Sequence, residues 1–223
     1  MASQIIYALL GCVLPTLVWL AFWLHEDYKH PEPRGLILKT FFLGMGAVIV
    51  ILPFQKVVDT WFPGLTFSAI FLWVILEEIF KFTAAFFGGL QSAEDNEPID
   101  PIIYMITAAL GFAALENVLF IATPLLEGLV AESVVTGNLR FIGATLLHVV
   151  SSSIIGVALA FSFYKSKKTR MLLVLAGLLT AIAFHIAFNL SLLSGAEMVP
   201  LMSVWLGVTM LLLMFEKTKT IAR

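Results

Sequence analysis

Seven side chains that could take part in acid–base, metal or oxyanion chemistry lie in apolar segments of this sequence. They are Glu77, Glu78, Glu116, Asn117, His148, His185 and Asn189. An ionisable side chain in the middle of a membrane span costs about 2.5 to 3.5 kcal/mol on insertion scales. Each ionisable member of the set is therefore a functional candidate unless it is simply paired.

The carboxylates of Glu77 and Glu78 have a lysine within one helical turn. Lys81 stands at i+4 from the first and at i+3 from the second, and both spacings put side chains on the same helix face. One ammonium group can pair with one carboxylate and leave the other free to act as a general base. The bland alternative is a buried ion pair that only ties two helices together.

Two histidines add nitrogen ligands to this set. A divalent metal, with zinc favoured, could be held by Glu77, His148 and His185, while a spare glutamate takes a proton from water. Asn189, one turn after His185, could stabilise an oxyanion. No H-E-x-x-H spacing is present, so the metal is inferred from residue types alone, and a histidine inside a span can also be a hydrogen-bonded packing residue.

Composition defines the setting in which these groups lie. Of 223 residues, 60% are apolar and 13% charged, and the mean hydropathy is +0.99. Soluble domains are about 45 to 50% apolar and about 25% charged. The sequence thus predicts an all-α, polytopic membrane protein, and a net charge of -2 leaves no basic surface for nucleic acid. Its single cysteine, Cys12, excludes an intrachain disulfide.

Seven apolar segments are long enough to cross a bilayer. They run over residues 4–24, 36–54, 65–90, 101–125, 139–164, 171–193 and 199–215. Prolines such as Pro53 and Pro124 are expected to end the helices and to mark the connections between spans. We expect one domain, residues 1–223, with a catalytic core at about residues 65–193.

Positive charge predicts the orientation, because short cytoplasmic loops collect Lys and Arg. Ten of the 13 Lys and Arg fall on one side of a seven-span topology. These ten are Lys29, Arg34, Lys39, Lys165, Lys167, Lys168, Arg170, Lys217, Lys219 and Arg223. The N-terminus is then outside and the C-terminus cytoplasmic. Arg140, at the entrance of the fifth span, is expected to snorkel to the interface, and the acidic turn at residues 95–100 is expected to be solvated.

Depth decides whether the candidate groups can meet. At about 1.5 Å per residue, Glu77 and Glu78 lie near the membrane centre. Glu116, His148 and His185 fall in the outer half of the same bilayer. The residues therefore occupy one band, although Glu116 and Asn117 could instead cap or bridge helices near the outer surface.

With these motifs the sequence resembles the PrsW family of intramembrane proteases, within the broader group that includes type II CAAX-prenyl proteases. The resemblance rests on Glu77-Glu78-x-x-Lys81, on Gly111-Phe112-Ala113 leading to Glu116-Asn117, on His148, and on His185-x-x-x-Asn189. The CAAX branch has E-E-x-x-x-R and F-x-x-x-H. Here Phe82 stands in place of that arginine and Glu116 in place of that histidine, which favours the PrsW branch and argues against prenyl-protein processing.

The resemblance implies an endopeptidase of the bacterial plasma membrane that cuts a single-span protein, such as an anti-sigma factor, near the outer face. It implies that Glu77 and Glu78 are the essential acidic pair, that one of them activates water with His148 or a metal, and that His185 and Asn189 complete the site. The implied partners are this substrate and membrane lipid. Two other functions fit intramembrane Glu, His and Lys residues: a proton-coupled transporter or channel, and a scaffold without enzymatic activity.

Overall fold

In the part of the chain that the structure describes, the protein is a bundle of seven continuous helical segments. A computed structural model describes residues 2–28, 30–195 and 198–221, with side chains from residue 13 onward. This described part contains helices and turns but no β-strand, which confirms the all-α prediction. The helices are α1 (Ala2–Glu26), α2 (Arg34–Trp61), α3 (Phe67–Ala85), α4 (Asp100–Leu126), α5 (Val130–Leu139), α6 (Thr145–Phe161), α7 (Lys167–Leu193) and α8 (Met198–Thr218). A π-helical turn, Phe86–Leu90, extends α3, and another, Arg140–Ala144, joins α5 to α6.

Each predicted apolar segment corresponds to one of these seven segments, but the expected breaks at two prolines are wrong. Pro53 lies inside α2 and Pro124 inside α4. A proline removes one backbone hydrogen bond, and packing against neighbouring helices can outweigh that loss within a membrane bundle. Of the residues used for orientation, Lys29 and Arg223 lie outside the described part, as does the side chain of Cys12.

Five segments are long and apolar enough to cross a membrane by length and composition: α2, α4, the continuous Val130–Phe161 segment, α7 and α8. The α3 helix has 19 residues but carries Glu77, Glu78 and Lys81. Side chains of α1 are described only from residue 13 onward, so α1 is represented here by the short apolar helix Val13–Glu26. The chain is an integral membrane protein, and the seven-span topology and its orientation stay predictions.

The α4 helix is the centre of the bundle. From residue 100 to residue 114 every side chain of α4 is buried, because neighbouring helices surround it. Glycines permit the closest approaches: a Cβ added at Gly111 would overlap the carbonyl oxygen of Phe41 on α2. At Gly156 on α6, an added Cβ would lie 2.8 Å from Cα of Ile102. Small residues thus bring α2 and α6 against the helix that carries Glu116.

The acidic turn before α4 was expected to be solvated, and this expectation is wrong. Asp100 is buried, and its Oδ2 accepts hydrogen bonds from the backbone N–H groups of Asn96 and Glu97, at 2.8 and 2.6 Å. Burial raises the pKa of Asp95 to about 7. Burial, with the nearby charge of Asp100, also raises the pKa of Glu32 in the α1–α2 loop to about 8, and Glu32 accepts a hydrogen bond from Tyr104. The turn folds back on α4 because the carboxylate of Asp100, the first residue of that helix, satisfies backbone donors of the preceding loop.

Candidate active site

Four helices bring the predicted glutamates and histidines into one buried cluster. Glu77 and Glu78 come from α3, Glu116 from α4, His148 from α6 and His185 from α7. The rings of the two histidines are 5.2 Å apart at an angle of 79°. Both histidines are 2% exposed, and Glu78 is fully buried. The residues are therefore in contact, and they meet below the protein surface.

Glu78 is held by four donors. Its Oε1 accepts hydrogen bonds from Nζ of Lys81 at 2.6 Å, from Oγ of Ser151 at 2.8 Å and from Nδ1 of His185 at 2.7 Å. Its Oε2 accepts from Oγ of Ser152 at 3.2 Å. A buried carboxylate with this many donors is stabilised in its ionised form. Of the two adjacent glutamates, Glu78 is thus the one that pairs with the lysine.

Glu77 is left without a cation and faces an imidazole nitrogen. Because Nδ1 of His185 donates to Glu78, Nε2 of His185 carries the lone pair. This Nε2 lies 3.7 Å from Oε2 of Glu77. The other oxygen of Glu77, Oε1, accepts a 3.3 Å hydrogen bond from Nε2 of Gln55 on α2. Two electron-pair donors that face each other across 3.7 Å fit a water molecule or a cation between them.

His148 is held in one tautomer by its two neighbours. Nζ of Lys81 lies 3.1 Å from Nδ1, and an ammonium group can only donate, so Nδ1 accepts. Nε2 therefore carries the hydrogen, and it lies 3.0 Å from Oε2 of Glu116. The α4 carboxylate thus takes the position of an orienting partner for this histidine.

Arg140 does not snorkel to the interface, contrary to expectation. Its Nε donates to Oδ1 of Asn117 at 2.6 Å, its Nη2 donates to Glu116, and its side chain is 15% exposed. Asn117 in turn donates to Oγ1 of Thr145 at 3.0 Å. The physical reason is that Arg140 lies within a continuous helix rather than at its entrance, since α5 already begins at Val130. Glu116 and Asn117 therefore bridge α4 to the α5–α6 segment.

A cavity of about 860 Å³ gives access to the cluster. Its walls are mostly apolar, and they include Trp73 and Phe120. Glu77, Glu116 and both histidines line it, as does the half-buried Asn189, for which the structure shows no hydrogen bond. The amide of Asn189 is thus free to meet a molecule in the cavity.

Sequence reasoning missed Gln55 and the two serines that hold Glu78. Gln55 follows Pro53, where the second span was expected to end, so it was placed in a loop. In the structure α2 continues, and the indole N–H of Trp73 donates to the carbonyl oxygen of Gln55 at 3.3 Å, which ties this part of α2 to α3. Of the two serines, Ser152 stands one helical turn after His148, where a small residue needs no functional explanation. Serines are common in membrane helices, so nothing in the sequence marks Ser151.

The donor set also fits a divalent metal, provided that His148 gives up one of the two hydrogen bonds that engage its ring nitrogens and so frees a lone pair. One ligand atom from each of Glu77, His148 and His185 lies within 4.8 Å of the other two, and within the described residues no other such group of three is found. Two imidazoles and one carboxylate are the ligands of many catalytic zinc sites. A hydrogen bond from the second nitrogen of His185 to Glu78 is typical of a histidine that binds metal.

The fold and the site together define a polytopic integral membrane protein with a buried glutamate–histidine centre. The sequence profile of the PrsW family of intramembrane metalloproteases matches residues 32–215. This chain therefore belongs to the PrsW family, which confirms the resemblance, and it is a peptidase.

Curated relatives carry the same family name. A protein named Protease PrsW from Halalkalibacterium halodurans is 26% identical over 212 residues, 90% of this chain and 93% of the relative. The Protease PrsW of Geobacillus kaustophilus is 31% identical over 159 residues, 70% of this chain and 64% of the relative. That of Bacillus subtilis is 29% identical over 157 residues, 70% and 66% of the two chains. No solved structure shows significant similarity to this chain. These matches favour the protease over the transporter and scaffold alternatives.

Proposed function

We propose that the protein is an endopeptidase that hydrolyses a peptide bond of a single-span membrane protein inside the cavity. One observation carries the proposal: Oε2 of Glu77 and Nε2 of His185 face each other across 3.7 Å in a cavity open to a substrate. Water placed between a carboxylate and an imidazole is poised for general-base catalysis. The apolar cavity walls suit the side chains of a substrate that comes from the membrane.

In this mechanism Glu77 accepts a proton from water while the water oxygen attacks the carbonyl carbon of the scissile bond. The proton then passes to the amide nitrogen as the carbon–nitrogen bond breaks, so the products are a carboxylate and an amine. Asn189 donates its amide N–H to the oxygen that gains negative charge. Glu78 and Lys81 hold the two histidines in position rather than react themselves.

A divalent ion, of which zinc is the favoured candidate, would be held by Glu77, His148 and His185. When bound, it supplies Lewis acidity, which polarises the carbonyl group and makes water a stronger acid. Elemental analysis of the purified protein tests the ligand set: we expect about one zinc per chain, lost in His185→Gln and retained in a matched His25→Gln variant. Equal metal content in both variants would reject these ligands.

The substrate class follows from the family resemblance and from the predicted topology. We propose an anti-sigma-type protein with one membrane span, cleaved towards the outer face of the bacterial plasma membrane, with lipid around the seven spans. The outer location is supported by the charge distribution, which places the C-terminus in the cytoplasm. It is also supported by the depth of Glu116, 16 residues or about 24 Å along α4 from its start at Asp100.

Co-expression with tagged single-span anti-sigma-type proteins tests the function. Wild type is compared with Glu77→Gln and Glu78→Gln at matched expression, and substrate size is read on a blot. We expect wild type to shorten a substrate and both variants to leave it intact. Glu94→Gln is the matched control, because Glu94 is exposed in the α3–α4 loop away from the cluster, and it should cleave normally. Shortening that persists in both site variants would disprove the proposed active site.

A further inference from the structure

Arg140 occupies a place that its sequence context does not explain. It is the first residue of the π-helical turn Arg140–Ala144 in an otherwise α-helical segment. A π-helical turn inserts an extra residue into a helix, and such turns occur frequently at functional sites. Arg140 points to α4 and lines the cavity.

The guanidinium group is fixed on three sides. Nε bonds to Asn117 and Nη2 bonds to Glu116, which are consecutive residues of α4. The guanidinium carbon lies 3.9 Å from the ring centroid of Phe120, one turn later on the same helix. A guanidinium group is planar, donates two hydrogen bonds side by side and stacks on an aromatic ring, so it matches this arrangement. The ammonium group of a lysine cannot make the same set of contacts.

The same carboxylate oxygen joins Arg140 to the centre. Oε2 of Glu116 accepts from Arg140 and also lies 3.0 Å from Nε2 of His148. Without the arginine, Glu116 would lose its permanent cation and could rotate into the cavity. His148 would then lose the acceptor of its Nε2–H, while Lys81 still holds Nδ1.

We propose that Arg140 is a positioning residue of the active site, which holds Glu116 against His148 and so fixes the orientation of that imidazole. This role rests on the proposed function for its effect on catalysis, but its effect on His148 does not depend on any substrate. Arg140 acts through Glu116 and does not touch the reacting atoms.

The experiment compares Arg140→Gln and Arg140→Lys with wild type. Nitrogen-15 NMR of histidine-labelled full-length protein, in detergent with EDTA, reports the hydrogen bond of His148 Nε2–H without any substrate. We expect the Nε2–H resonance of a hydrogen-bonded imidazole in wild type and a shift towards that of an unbonded imidazole in Arg140→Gln. In cleavage assays we expect kcat to fall about 10- to 100-fold with KM unchanged, the size seen when an orienting partner of a site residue is lost. Arg140→Lys should lose less, because it keeps the positive charge next to Glu116.

Arg170→Gln is the matched control. Arg170 also lies near a phenylalanine ring, that of Phe163 at 5.7 Å, and near a carboxylate, that of Asp95 at 3.8 Å, but it does not line the cavity. It should leave the His148 resonances and kcat unchanged. An unaltered His148 spectrum in both Arg140 variants would overturn the proposal, as would a loss of kcat that only parallels a loss of thermal stability. If wild type cleaves nothing, the proposed function fails, while the NMR comparison still decides the role of Arg140.

Discussion

The two adjacent glutamates have different tasks, and their stability effects should separate them. Glu78→Gln leaves the fully buried Lys81 without its anion, 2.6 Å away in the wild type. Breaking a buried ion pair from one side costs about 3 to 5 kcal/mol. Glu77→Gln removes no cation partner and weakens only the 3.3 Å hydrogen bond from Gln55, worth about 0.5 to 1.5 kcal/mol. We therefore expect both variants to lose cleavage but only the first to lose much stability.

Thermal unfolding of the purified variants in detergent micelles measures the difference. For a chain of this size, each kcal/mol shifts Tm by about 2 to 4 °C. Glu78→Gln should therefore lower Tm by roughly 6 to 20 °C. Glu77→Gln should change Tm by no more than about 6 °C. Both should be inactive against a substrate that wild type cleaves.

A double variant identifies the cause of the instability. Glu78→Gln combined with Lys81→Met removes both charges, and neutral replacement of a buried ion pair is often tolerated. We expect Tm to recover by at least half of the loss while cleavage stays absent, because His185 still lacks its ionised partner. Equal Tm values for the two single variants, or a double variant less stable than Glu78→Gln, would refute the assignment of Glu78 as the structural carboxylate.

Three further variants test the packing, the loop and the site. Gly111→Ala forces a Cβ onto a backbone oxygen of α2 and should lower the free energy of unfolding by about 1 to 3 kcal/mol, which is measured as a lower Tm. Gly46→Ala is the control, because no atom lies within 4 Å of its added Cβ, and it should not destabilise the protein. The pKa of Glu32 is raised from 4.5 to about 8 by burial, so between these pH values the folded protein binds a proton that the unfolded chain releases. The Tm of the wild type should therefore fall as pH rises from about 5 to 8. Glu32→Gln should flatten this dependence of Tm on pH, and an equally steep dependence in the variant would contradict the reasoning. Gln55→Leu removes the donor to Glu77 and should lower kcat about 10- to 100-fold with little change in Tm; an unchanged kcat would exclude a role for Gln55.

Local patterns were sufficient for the helices, because a span needs only about 20 apolar residues and a boundary. They were not sufficient for helix ends. Pro53 and Pro124 were taken as breaks, although each lies within a helix that neighbouring helices support. That error hid Gln55, since a residue beyond a predicted helix end is not expected at a buried site. It also shows that a proline ends a helix less reliably in a membrane bundle than in water, because neighbouring helices can support the helix around it.

The sequence by itself determined which residues had to be explained. Charged and imidazole groups in apolar segments are costly, so their presence in four segments marks them without any coordinates. The spacing of Glu77, Glu78 and Lys81 also shows that one ammonium group serves at most one carboxylate well.

Only the tertiary structure decided how these groups are paired. Both glutamates lie within reach of Lys81 along the helix, and donors from two other helices, Ser151 and His185, make Glu78 the paired one. Likewise the packing of the α5–α6 segment against α4, and not the position of Arg140 in the sequence, brings that side chain to Glu116. Pairing in a low-dielectric interior depends on distances of a few ångströms between different helices, and such distances are set by packing that no local pattern contains.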